Sequence, residues 1–266
     1  MKIRVRAELV YRFDPPTDAI YKIQVARWPG QTILKERLTT TPPHAFHEDE
    51  DVDFGARTLR ARLAGEVSVV YEALVDNGTL KGLPPVTVQH DWNDLPAEVL
   101  TYLWPSRYCP SDQFGRFVER QFGETTGGER VIAILDWISA NIDYEPGVSD
   151  SETTASRTFI DRAGVCRDFT HLGITLCRAS GIPARAVSAF AHQLNPPDFH
   201  AVFEVWLSNG WWLVDPTGLA PIEGLVRIAC GRDAADIAFL STQGACTLVR
   251  QSIRAEAGDG ESLKAA

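Results

Sequence analysis

No uninterrupted apolar run in the chain approaches the length of a membrane span, so no membrane partner is expected. The opening residues Met1-Lys2-Ile3-Arg4-Val5-Arg6-Ala7-Glu8 alternate charged and apolar side chains and lack the apolar centre of a secretory signal. The expected compartment is therefore the cytoplasm. Cysteine is sparse: five in 266 residues, an odd count without paired spacing, which argues against a disulfide scaffold and fits a reducing compartment. Basic residues are outnumbered, with 26 Lys and Arg against 35 Asp and Glu, and the net charge of −9 argues against a nucleic-acid partner. No Cys, His, Asp or Glu cluster has ligand spacing, so no metal is expected.

What remains is a globular composition, 44% apolar and 23% charged, long enough for one large domain or two smaller ones. Residues 2–13 alternate, with Ile3, Val5, Ala7, Leu9 and Tyr11 on one face, as in a half-buried strand. The turn Asp14-Pro15-Pro16-Thr17-Asp18 is expected to end it. Further strands are expected at 19–28, 32–38, 57–63 and 66–75, with a turn at Asp76-Asn77-Gly78. This spacing predicts an antiparallel β-sandwich-like N-terminal unit. The acidic run from His47 to Asp53 lacks the glycine turn and closing glutamate of a calcium loop, and reads as a solvated loop. His44 and His47 have no ligand-spaced partner.

A short helix is expected over 94–103, capped by Asp94. Pro105 and Pro110 forbid regular helix in the segment that follows, which is the natural boundary. The division is thus 1–103, 104–255 and a tail, 256–266. Beyond the boundary, Val131, Ile134, Leu135 and Ile138 mark a helix over 129–141, and a short helix opens at Thr154 or Ser156. Residues 169–179 read as another helix, ended by Gly181 before Pro183. Strands follow at 184–190, 198–207 and 211–215, the last two joined by Ser208-Asn209-Gly210. The class is α+β.

Cys166 sits at the mouth of the 169–179 helix. Unpaired N–H groups and partial positive charge there favour a thiolate, the form that acts as nucleophile. Cys109, in an irregular proline-flanked segment, Cys177, deep in the helix, and Cys230 and Cys246, without a charged base nearby in sequence, read as structural. The 198–207/211–215 hairpin pairs residues whose numbers sum to about 418. That brings His200 within two or three positions of Asp215, close enough for contact across strands. A carboxylate beside an imidazole fixes its tautomer and strengthens it as a base. His171 is turned away from Cys166 along the helix; His192, in a loop, could replace His200, but only His200 is followed by an alternating strand. Asp168 is near enough to Cys166 to rival Asp215 as its carboxylate, and is expected instead to favour the first helical turn. Arg232, Asp233 and Asp236 either line the cleft or form an ion-pair network.

Several motifs together resemble the transglutaminase-like superfamily, and more narrowly its bacterial members with a β-rich N-terminal domain. They are Gly164-Val165-Cys166-Arg167-Asp168, Gly181-Ile182-Pro183-Ala184-Arg185, His200-Ala201-Val202-Phe203-Glu204-Val205 and Trp212-Leu213-Val214-Asp215-Pro216-Thr217. The segments around Tyr108 and Arg232 resemble the same subgroup. The resemblance implies a papain-like transglutaminase core with Cys166 as nucleophile, His200 as base and Asp215 as orienter. It also implies acyl transfer through a thioester on a peptide or protein amide substrate, without a cofactor. The expected reaction is hydrolytic, as in a cysteine protease. Amine transfer to glutamine and a non-catalytic peptide-binding role stay open. The Cys166 backbone N–H is one oxyanion donor by position; Tyr108, Trp104 and the loop after Gly147 are candidates for the second.

Overall fold

The computed structural model describes residues 1–52 and 54–258. Asp53 of the acidic run and residues 259–266 of the expected tail lie outside the described residues. The N-terminal unit is one antiparallel sheet built on two 20-residue strands, β1 (Lys2–Tyr21) and β4 (Arg57–Asp76). Ile3, Val5, Ala7 and Leu9 are fully buried while Arg4, Arg6 and Glu8 face outward, so one face carries the core. Two strands expected at 2–13 and 19–28 are a single strand to Tyr21. The Asp14–Pro16 stretch is a bulge: the register against β4 shifts between Phe13 and Thr17. A bulge tolerates proline because its unpaired residues need no ladder N–H. On β4, Gly65 pairs with Phe13 at φ +68°, so the strands expected at 57–63 and 66–75 are also one.

The other edge of β4 carries β2 (Thr32–Thr41) and β3 (His47–Glu50). The acidic run is therefore partly an edge strand rather than a solvated loop. Its carboxylates are used: Glu48 pairs with Arg57 at 2.8 Å, and Asp49 with Arg60 at 2.6 Å.

After the boundary segment and α1 (Ala97–Leu100) come α2 (Gly115–Phe122), which has no counterpart in the sequence reading, and α3 (Gly127–Asn141). The two-residue strands β5 (Asp143–Tyr144) and β6 (Ala163–Gly164) pair in parallel around α4 (Ala155–Asp161). Next is α5 (Cys166–Ala179), then β7 (Ala184–Ala191), β8 (Phe199–Leu207), β9 (Gly210–Val214) and β10 (Leu225–Gly231), in the sheet order β10-β7-β8-β9. Ser208 and Asn209, both with positive φ, make the tight β8–β9 turn. α5 lies directly on this sheet. A Cβ on Gly173 would come within 2.5 Å of the Phe203 ring, so only glycine permits that approach.

α6 (Ala234–Ile237), β11 (Leu240–Thr242) and β12 (Thr247–Ala257) complete the chain. Both last strands pair with β1, so residues 240–242 and 247–255 belong to the N-terminal sheet rather than to the C-terminal unit. Glu256 and Ala257 pair with Arg4 and Ile3, in place of the tail expected from residue 256. β1 presents a full row of backbone donors and acceptors on that edge, and β12 satisfies them.

One buried apolar cluster runs from Ile3 through Leu172 to Phe203, joining the two units. At their junction Glu204, fully buried, takes two hydrogen bonds from Arg185 at 2.6–2.8 Å and two from Arg227 at 2.7–2.9 Å. Trp211 stacks on the Arg185 guanidinium at 3.8 Å, and Trp28 of the N-terminal unit lies 4.9 Å away.

Candidate active site

Cys166 is the first residue of α5. Val165 before it is extended, and its N–H donates to Asp168 Oδ2 at 2.9 Å. Asp168, fully buried, also pairs with Arg167 at 3.2 Å, so it builds the helix start, as expected. Gly164 makes room for it, since a Cβ there would lie 2.7 Å from the Asp168 Cβ. The cysteines separate cleanly. Cys109, Cys177 and Cys230 are buried, and burial pushes the thiols of Cys109 and Cys230 up to about 12 and that of Cys177 upward as well. Cys166 is partly exposed at a helix N-terminus. Cys246 is also partly exposed, but it lies in the β11–β12 connection beside Thr242.

His200 stands on β8 and Asp215 follows β9. The register pairs Phe203 with Val214 and Leu207 with Gly210, one residue from the expected sum. His200 Nε2 meets Asp215 Oδ2 at 2.9 Å, with the two side chains 1% and 3% exposed. Asp215 is itself fixed: its Oδ1 accepts from the Thr217 N–H at 2.9 Å and hydroxyl at 2.7 Å, and its Oδ2 from the Ala220 N–H at 3.2 Å. Burial opposes a charged imidazole, yet the interactions with Asp215 and Cys166 outweigh it and raise His200 to about 9. Burial likewise opposes the Asp215 carboxylate, but His200 and Thr217 hold it below the usual range. With Nε2 taken by Asp215 and no other partner on Nδ1, the ring has Nδ1 left for the Cys166 thiol.

The structure redistributes the remaining candidates. The Tyr108 hydroxyl donates to the Ser151 carbonyl at 2.9 Å, and its ring stacks on His171 at 4.9 Å. The Trp104 ring packs edge-on against Trp92, and the loop after Gly147 turns Ser149 and Asp150 to Arg167. The aromatic hydroxyl at Cys166 belongs instead to Tyr144, which no local pattern in the sequence marks. Tyr144 on β5 pairs with Gly164, two residues before the thiol. Burial and the charge of Cys166 raise it to about 12, and it interacts with both the side chain and the backbone N–H of Cys166. His171 is buried, accepts from the Ala234 N–H at 3.1 Å, and burial lowers it to about 4. His192 meets the Ala255 carbonyl at 3.2 Å. Arg232 and Asp236 form an exposed ion pair at 2.9 Å, while Asp233 caps α6 and accepts from the Tyr108 N–H at 2.9 Å. A cavity of about 370 Å³ opens beside Cys166 and His200. Among the described residues no group of three or more His, Cys, Asp or Glu side chains is placed to hold a metal, and no helix is long and apolar enough to cross a membrane.

Comparison with known proteins matches residues 116–216 to the transglutaminase-like superfamily and residues 1–83 to the bacterial transglutaminase N-terminal domain. The crystal structure of a "putative cysteine protease" from Cytophaga hutchinsonii is 38% identical, aligns over 98% of this chain and 92% of that one, and superposes with a TM-score of 0.88. An uncharacterised protein of Mycobacterium leprae is 27% identical over 262 residues, 90% of this chain and 91% of the relative. One from Mycobacterium tuberculosis is 26% identical over 147 residues, 48% of this chain and 47% of its own length. With both halves matched in order and the fold shared from end to end, the chain belongs to the transglutaminase-like superfamily.

Proposed function

We propose that the protein is a cysteine-dependent acyl-transfer enzyme that cleaves peptide or side-chain amide bonds through a thioester and releases the acyl group to water. The observation that carries this reading is the 2.9 Å bond between His200 Nε2 and Asp215, which leaves Nδ1 for a thiol at a helix N-terminus. In this reading His200 takes the Cys166 proton, and the sulfur attacks the amide carbon. The developing oxyanion takes the place of the contact between the Cys166 N–H and the Tyr144 hydroxyl and accepts from both, the hydroxyl staying protonated well above neutral pH. Collapse of the intermediate breaks the C–N bond, and the imidazolium protonates the departing amine. His200 then deprotonates a water, which attacks the thioester, frees the carboxylate and returns the thiol. The protease name of the 38% identical Cytophaga hutchinsonii protein favours water over an amine as acceptor.

The test is limiting iodoacetamide between pH 5 and 9, with Cys166→Ala and His200→Ala as comparisons. Selective alkylation at Cys166, slowed in His200→Ala, is expected; slow, even labelling of all five cysteines refutes the reading. Peptide, glutamine and isopeptide substrates, with and without a primary amine, then distinguish hydrolysis from transfer.

A further inference from the structure

The cavity beside Cys166 and His200 is walled mainly by Phe199, Ile228, Ile237, Ala238, Phe239 and Leu240. No carboxylate and no lysine lines it among the described residues. The cation at its edge, Arg167, is already held by the Asp150 carbonyl at 2.7 Å, Ser149 Oγ at 3.3 Å and Asp168 at 3.2 Å. Ser188 Oγ is buried on the wall without a hydrogen-bond partner. Roomier hollows, of about 520 Å³ near His90 and about 640 Å³ along residues 27–36, have no cysteine on their walls. At about 370 Å³ the cavity is near the small end of ligand pockets, which span about 300–1,000 Å³. It suits one side chain rather than a departing polypeptide, so its occupant is the part of the substrate that stays bonded to sulfur.

We propose that this cavity receives the side chain of the residue whose carbonyl Cys166 attacks, and that it selects an aliphatic or aromatic acyl donor over glutamine or glycine. The inference rests on the thiol reading above and adds the substrate class. A glutamine amide brings two donor hydrogens and an acceptor oxygen. Of the other polar groups on the walls, the Tyr108 hydroxyl is already given to the Ser151 carbonyl, Arg167 is already held and Ser151 is exposed. Ser188 is thus the one buried, unpartnered hydroxyl among the described lining residues. It cannot satisfy every polar group of the amide, and a buried amide without partners is penalised. A leucine or phenylalanine side chain loses nothing on entry and gains the apolar contact.

The probes are N-acetyl aminoacyl chloromethyl ketones carrying Gly, Gln, Leu or Phe. In each, the Cys166 sulfur forms a C–S bond at the chloromethyl carbon, chloride leaves with the C–Cl electron pair, and the thiol proton passes to His200. We expect the Leu and Phe probes to inactivate at least about tenfold faster than the Gly and Gln probes, the scale set by apolar groups in a hydrophobic pocket. Ala238→Phe, which fills the cavity, is expected to erase that preference. Phe239→Ala, which enlarges it, is expected to shift the preference from Leu toward Phe. Iodoacetamide, too small to sample the cavity, reports on the thiol in every variant. Equal rates for all four probes with brisk iodoacetamide labelling overturn the pocket and leave the thiol reading standing. Failure of iodoacetamide to select Cys166 overturns both.

Discussion

Asp215 holds the Nε2 side of His200 at 2.9 Å, and neither side chain is more than 3% exposed. Removing that carboxylate takes away a main interaction that raises His200 to about 9. Asp215→Asn is therefore expected to bring the imidazole down toward its ordinary value near 6.5. The alkaline limb of Cys166 alkylation should shift to lower pH with it. Histidine NMR titration of wild type and variant checks this; an unmoved His200 signal would show that Asp215 does not set its basicity. On any amide substrate that is turned over, the variant should lose about 10²- to 10⁴-fold in kcat/KM.

Two buried histidines pull the pH dependence of stability in opposite directions. His171 falls to about 4 in the fold, so its contribution is present above about 6.5 and is lost as pH drops toward 4. His200 rises to about 9, so its contribution is complete below about 6.5 and is lost as pH climbs through 9. Between them they place a stability maximum near neutrality. Thermal melts from pH 4 to 10 should show that dome, with His171→Asn flattening the acid side and His200→Gln the alkaline side.

Glu204 is fully buried between two arginines. Glu204→Ala leaves Arg185 and Arg227 buried without a counter-charge, a loss of about 3–5 kcal/mol. Urea unfolding measures it. Because Trp211 stacks on Arg185, its emission should change together with stability. An intact stability in Glu204→Ala would mean that water reaches the cluster.

Tyr144→Phe removes only a hydroxyl. If that group helps hold the oxyanion, kcat should drop by about 10²- to 10³-fold while KM changes little, because the interaction forms only in the transition state. The rate of iodoacetamide alkylation, which passes through no oxyanion, should change far less. Parallel losses in both measurements would instead assign Tyr144 to thiol activation.

The place of Cys166 at a helix entry and the contact of His200 with Asp215 are legible in the sequence because each signal is local: a helix start, and one hairpin whose register follows from its turn. Tyr144 was not legible. It reaches the thiol through the pairing of β5 with β6, and two-residue strands leave no periodic trace. Pro15 and Pro16 carry turn chemistry yet lie in a bulge, because the long β4 partner continues past them. β11 and β12 alternate weakly; Ile253 alone is buried on β12, so only pairing with β1 identifies their sheet. Local sequence reports how a segment wants to fold, whereas partners far along the chain leave no mark within it.

The pairing of β12 with β1 also sets a schedule for synthesis. Ala7 leaves the ribosome 246 residues before its partner Ile253. At typical elongation rates that gap lasts on the order of 10–50 s, during which one flank of β1 has no native neighbour. An uncovered flank is a template for pairing with another nascent chain. Arg4, Arg6, Glu8 and Arg12, spaced at every second or fourth position along β1, put charge beside that flank throughout the interval. Charge beside an open strand flank disfavours such pairing, and in the finished fold the same side chains take ion-pair partners, Arg6 on Glu72 and Arg12 on Glu66.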